Sequence, residues 1–289
     1  FAQELRLAGD INDSVSFLIG LFYQDRELVF DTAQEAVGGA NFAPLFGLAS
    51  IDPTTGFSDD WHKVHTTDSE TRSIFGSVTF QATDRLEITA GARFSEDERS
   101  QVVDVATVHY MFTVLGLGFV PNGFNSGKID FDDDNTSPEV SFVFALNDDI
   151  NLYGAYKSGY KAGGVDNSAL PSASLANAAA TGDFSSLIYQ TEEGEGFEFG
   201  MKGQFLGNSL RLDATVFRYV YDDLQVQSFN SAAIQFSTTN AGEMISQGLE
   251  VDFTWLPDVD GLTVYGALSV LDAEFSDSFI PEAPVGITD

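Results

Sequence analysis

The chain has 289 residues, and its 44 Asp and Glu against 13 Lys and Arg leave a formal net charge of −31, which excludes the basic surface needed to hold nucleic-acid phosphates. Cysteine is absent, so disulfide scaffolds and Cys-ligated zinc or iron–sulfur sites are excluded, and a hydrophobic fraction of 43% is too high for a disordered acidic chain. No unbroken apolar run reaches the roughly 20 residues of a membrane helix, since the nearest, Tyr110 to Val120, is interrupted by Gly116 and Gly118.

Period two dominates the pattern. The first clear element places Val15, Phe17, Ile19, Leu21 and Tyr23 on one face. The next places Leu86, Ile88, Ala90, Ala92 and Phe94 opposite Glu87, Thr89, Gly91 and Arg93. Val140, Phe142, Phe144 and Leu146 follow, then Phe197, Phe199, Met201 and Phe205 opposite Glu198, Lys202 and Gln204. Leu210, Leu212, Ala214 and Val216 then alternate with Arg211, Asp213 and Thr215. Leu249, Val251, Phe253 and Trp255 alternate with Glu250, Asp252 and Thr254. Such alternation predicts strands with one apolar and one polar face.

The connections fall into two classes. Asp, Asn and Gly mark tight hairpins at Gly9–Ser14, Gln81–Arg85, Leu146–Ile150, Leu206–Ser209 and Pro257–Gly261. Between them lie stretches that read as loops: Gln24 to Ser69, Glu96 to Ser137, Lys161 to Thr191 and Gln227 to Asn240. Ser174 to Ala180 reads as a short helix inside the third. The fold this predicts is all-β: an antiparallel up-and-down transmembrane β-barrel, its tight turns on one rim and its long loops on the other. Strands of about 10–14 residues, against the usual 5–6, favour it over a soluble sandwich. Aromatics agree, with Tyr23, Phe94, Tyr156, Tyr160, Tyr219 and Tyr221 toward the long-loop rim and Phe80, Phe144, Phe205 and Trp255 toward the other. Phe142, Phe144, Phe199, Leu210, Leu212, Val251, Phe253 and Leu268 are expected to face lipid, and Lys202, Arg211, Asp213, Glu250 and Asp252 the concave side.

Candidate chemistry is sparse. No nucleophile elbow, zinc-protease helix or phosphate-loop motif occurs, so the reading is of a non-enzyme with no catalytic residue and no cofactor. His62, His65 and Asp59 are loop candidates for a metal, but a third ligand of known geometry is missing. Asp130, Asp132, Asp133 and Asp134 carry the charge of a calcium loop without its glycine and glutamate, since Asn135 and Ser141 occupy those positions. The third histidine, His109, also lies outside the clear strands, and the ligand-binding residues are not assignable.

Gly154 to Gly164 (GAYKSGYKAGG) resembles the strand-to-loop segment of TonB-dependent outer-membrane receptors. Phe197 to Gln227, Thr238 to Trp255 and Gly261 to Phe275 continue the same pattern in the same order, and Gln3 to Gly9 resembles an earlier barrel strand. The resemblance implies a receptor in the cell outer membrane of a Gram-negative bacterium. It would take up a scarce ligand, foremost a ferric siderophore, with energy supplied through TonB. The alternatives are a passive outer-membrane porin and an uptake receptor for an oligosaccharide or other nutrient. The implied partners are outer-membrane lipid and lipopolysaccharide, the small ligand, and the TonB complex through a plug segment that has no counterpart here. About ten strands can be placed, from a family barrel of about 22. Residues 1–289 are thus expected to be part of the barrel domain, without the plug and the C-terminal strands: an open partial barrel with edges near Glu4–Leu7 and Leu262–Leu271. Asp25, Glu27, Asp31, Glu35, Asp52, Asp59 and Asp60 among the loop acids would slow the approach of an anionic ligand.

Overall fold

The computed structural model describes residues 1–34, 42–166, 171, 173–230 and 235–276. Its centre is one antiparallel sheet of ten strands. In order across the sheet these are β1 (Ala2–Asn12), β2 (Val15–Gln34), β3 (Trp61–Thr83), β4 (Leu86–Val108), β5 (Phe124–Ala145), β6 (Ile150–Lys161), β9 (Glu192–Phe205), β10 (Leu210–Asp222), β13 (Met244–Trp255) and β14 (Val264–Phe275). Two small hairpins stand apart: β7 (Gly164–Val165) with β8 (Ile188–Tyr189), and β11 (Gln225–Asn230) with β12 (Gln235–Asn240). Two short helices, α1 (Tyr110–Val114) and α2 (Ala173–Thr181), lie in the connections. No helix among the described residues is long and apolar enough to cross a membrane.

All five tight hairpins join strands at one rim, as the turn chemistry predicts. Asn12 and Asn147 accept the amides of Ser14 and Asp149 at 2.9 Å each, and Thr83 accepts those of Arg85 (3.2 Å) and Leu86 (3.1 Å). The sheet is open: β1 and β14 each have one neighbour, at the two ends where edges are expected.

The cross-strand register sorts the faces. Leu7, Ile19, Val78, Ala90, Val140, Leu152, Met201, Ala214, Val251 and Leu268 belong to one continuous apolar face, bare of any covering segment among the described residues. All eight side chains expected to face lipid share it, and all five charged ones expected on the concave side lie opposite. On β2 the apolar run from Val15 to Tyr23 spans about 27 Å along the strand, the scale of an apolar membrane band of about 25 Å.

Two of the expected loops contain long stretches of strand. β2, β3, β4 and β5 run 20, 23, 23 and 22 residues, so both ends of Gln24 to Ser69 and most of Glu96 to Ser137 are paired backbone. The membrane-spanning part of β3 ends near Arg72, and the strand continues about 36 Å further, to Trp61. The reason for the difference is chemical: beyond the apolar band both faces of the wall meet water or polar partners, and the alternation that marks a strand disappears. Gln227 to Asn240, also expected as loop, falls mostly in the β11–β12 hairpin, while α2 lies where the short helix is predicted. Asp130 to Asp134 lie on β5 rather than in a charged loop. Glu35 and the chain end at Ile287 to Asp289 lie outside the described residues.

Candidate functional site

The polar face at the long-loop end is roofed by the chain between β6 and β9. Val165, Leu175 and Leu187 of that segment pack against Trp61, Val103, Val105 and Ile129, which point inward from the tall strands. Burying such side chains stabilises a docked segment by about 1.5–3 kcal/mol each. The roof is stitched to the β11–β12 hairpin. Asn240 Nδ2 donates to the Gln190 carbonyl (3.0 Å) while its Oδ1 accepts the Gln190 amide (2.8 Å). Gln225 Nε2 reaches the carbonyls of Lys161 (2.9 Å) and Gln190 (3.0 Å).

Beneath the roof lies a set of buried polar groups. His65 and Gln101 are each 1% exposed, and their Nδ1 and Nε2 atoms are 3.2 Å apart. Gln101 Oε1 accepts Thr67 Oγ1–H at 2.9 Å, and its Nε2 also approaches the Asp166 carbonyl at 3.4 Å. Thr238 donates its amide to Asp166 Oδ2 at 3.2 Å. Burial pushes the Lys63 ammonium down to about 8, with Asp166 acting in the other direction. Burial, helped by Lys63, pushes His65 down to about 3, so its ring is neutral at physiological pH. His65 Nε2 has no hydrogen-bond partner among the described residues.

Below this set, Thr71 and the Tyr160 hydroxyl donate to the two oxygens of Asp97, each at 2.5 Å. Arg93 lies over the rings of Phe22 (5.0 Å) and Phe75 (5.3 Å) and donates to Ser73 at 2.9 Å. Between the roof and strands β2, β3 and β4 remains a cleft of about 200 Å³, lined by polar wall residues with Tyr189 and Thr238 above.

The metal candidates do not converge. Far from lying in a loop, His62 and His65 are on β3, where residues three apart point to opposite faces. His62 meets Asp31 at 2.7 Å on the outer face, while His65 is buried on the inner one. Asp59 is half-buried just before β3, and no group of three His, Cys, Asp or Glu among the described residues could hold a metal ion. His109 is buried, and its Nδ1 accepts the Met111 amide at the start of α1. Sequence reasoning passed over Arg26, Arg99 and Gln101. The signal available was their spacing: once the strands are known to extend, the three positions fall on the inward parity.

Comparison with known proteins agrees with this architecture. The family profile described as "TonB dependent receptor-like, beta-barrel" matches residues 4–285. The pesticin receptors of Yersinia pestis and Yersinia enterocolitica are each 25% identical to this chain over 255 residues, which are 88% of it and 31% of each receptor. The crystal structure of the ferric yersiniabactin uptake receptor FyuA from Yersinia pestis aligns with a TM-score of 0.67 at 21% identity, covering 96% of this chain and 35% of that one. The siderophore receptor PiuA from Acinetobacter baumannii aligns with a TM-score of 0.59 at 16% identity, covering 95% and 38%. This chain therefore spans about a third of the length of these relatives.

Proposed function

Because this chain belongs to the TonB-dependent receptor β-barrel family, we propose that it forms part of an outer-membrane receptor that imports a ferric siderophore with energy delivered through TonB. The observation that carries this reading is the pairing of a bare apolar face, suited to lipid, with a polar inner face roofed at one end. A passive porin needs no such roof, whereas a receptor needs a closed, polar chamber in which a ligand can be held. The pesticin and siderophore receptors that resemble it support the choice of ligand class. Outer-membrane lipid and lipopolysaccharide would meet the apolar face, and the full-length protein would reside in the outer membrane of a Gram-negative bacterium. Residues 1–289 would supply part of the barrel wall, the plug and remaining strands lying elsewhere in the full-length protein.

The test is transport of iron-55 siderophore complexes by a strain that carries the full-length gene as its sole receptor. Uptake should be saturable and should vanish when TonB is removed. Uptake that persists without TonB and rises linearly with concentration would support the porin instead.

A further inference from the structure

Arg26 on β2 and Arg99 on β4 flank Ser69 on β3 in a single cross-strand row. The two α-carbons are thus about 10 Å apart, two strand spacings. Both arginines line the 200 Å³ cleft, and neither has an ion-pair or hydrogen-bond partner among the described residues. That is unexpected in a chain with 44 acidic residues. Strand parity explains it: their sequence neighbours Asp25, Glu27 and Glu98 point to the opposite face. Of the acids on the inner side near the pair, Asp97 is occupied by Thr71 and Tyr160, Asp133 accepts the Thr191 hydroxyl, and Asp166 accepts the Thr238 amide. The rows on either side supply Thr71, Thr67 and Gln101, neutral groups able to hydrogen-bond a ligand. Gly164 leaves room for the Arg99 guanidinium, since a Cβ there would sit 2.9 Å from its Nη1.

We propose that this cleft is an oxyanion subsite, in which Arg26 and Arg99 together hold a carboxylate- or phosphate-type group of a small soluble ligand. Guanidinium groups match the planar geometry of such anions. The cleft is smaller than the roughly 300–1,000 Å³ of a pocket for a drug-sized ligand, so it takes a small anion or one anionic arm of a larger molecule. Lipid phosphates lie on the other side of the wall. The proposal rests on the receptor reading and narrows it: a ligand can be anionic although the chain carries −31, because the charge inside the cleft is locally positive.

The experiment uses the full-length receptor in detergent micelles, titrated calorimetrically with citrate and with inorganic phosphate. Wild-type protein should bind at least one of them, more weakly as salt rises from about 50 to about 500 mM. Arg26→Gln and Arg99→Gln should each weaken binding at least about tenfold, with Arg26→Lys recovering part of the loss. Arg211→Gln, on the inner face near the tight-turn rim, should bind like wild type. Failure of the wild type to bind either probe overturns the proposal and would mean that a group elsewhere in the full-length protein already occupies the arginine pair. Equal binding by all variants overturns it as well. Siderophore uptake separates the two readings: intact uptake with arginine-independent binding removes the subsite and leaves the receptor, while arginine-dependent binding without uptake does the reverse.

Discussion

His65 and Asp52 make the water-exposed end of the wall sensitive to acid. Neutral buried His65 titrates near 3 in the fold and near 6.5 when unfolded, so between those values the unfolded chain binds the extra proton. Its contribution to stability is therefore complete above about 6.5 and is lost as pH falls toward about 3. Asp52 is fully buried. Burial alone would raise its carboxyl, but the amides of Thr54 (2.7 Å), Tyr110 (2.9 Å) and Thr55 (3.3 Å), with His109 nearby, hold it below its ordinary 3.8. A depressed carboxylate stabilises the fold above its unfolded value and ceases to as pH drops through the folded one. Hydrogen-exchange protection factors around Trp61 and under the roof, corrected for the intrinsic rate at each pH, should thus fall from pH 7 to pH 4.5, and His65→Leu should flatten the response. An unchanged profile in that variant would show that another group titrates. Asp52→Ala leaves the amides of Thr54, Thr55 and Tyr110 without their acceptor, and should destabilise the junction of residues 49–57 with α1 by about 1–3 kcal/mol, read as faster proteolysis there at neutral pH.

Strands are held by what each face must meet. Val251 sits on the apolar face, so Val251→Arg should cost roughly 2–4 kcal/mol of folding stability in lipid vesicles if it lies near the bilayer midplane. Thr215→Arg, one step away on the inner face, should cost little, and equal costs would show that the faces are misassigned. Gly20 has no side chain because the Phe75 ring lies over it, and that ring receives Arg93 at 5.3 Å and Arg6 at 5.7 Å. Gly20→Val should displace the ring and lower stability by about 1–3 kcal/mol in urea titrations; a wild-type midpoint would refute the contact. Within the apolar band the strands were legible, since lipid on one side and polar partners on the other write a period of two into the sequence. Above it the writing stops: Glu96 to Gln101 contains no apolar residue, yet it is paired on both sides. The inner cluster was hidden for the same reason, as His65 and Gln101 become neighbours only when Thr67 and Val103 are known to be strand residues. Short Asx and Gly turns were readable because local backbone geometry alone selects them.

At the scale of the molecule, two sheet edges have no strand partner among the described residues, a state that neither lipid nor water tolerates well over long strands. In the full-length protein, amides along the outer sides of β1 and β14 should exchange as slowly as those of β4. Rapid exchange there would mean that the sheet stays open. The stitched roof has a consequence for timing. Because Asn240 and Gln190 grip each other in both directions, and Gln225 bridges the same two segments, the β6–β9 connection and the β11–β12 hairpin share one barrier to displacement. Spin labels placed separately on α2 and on the β11–β12 hairpin should then report one common relaxation rate, which splits into two when Asn240→Ala uncouples the pair.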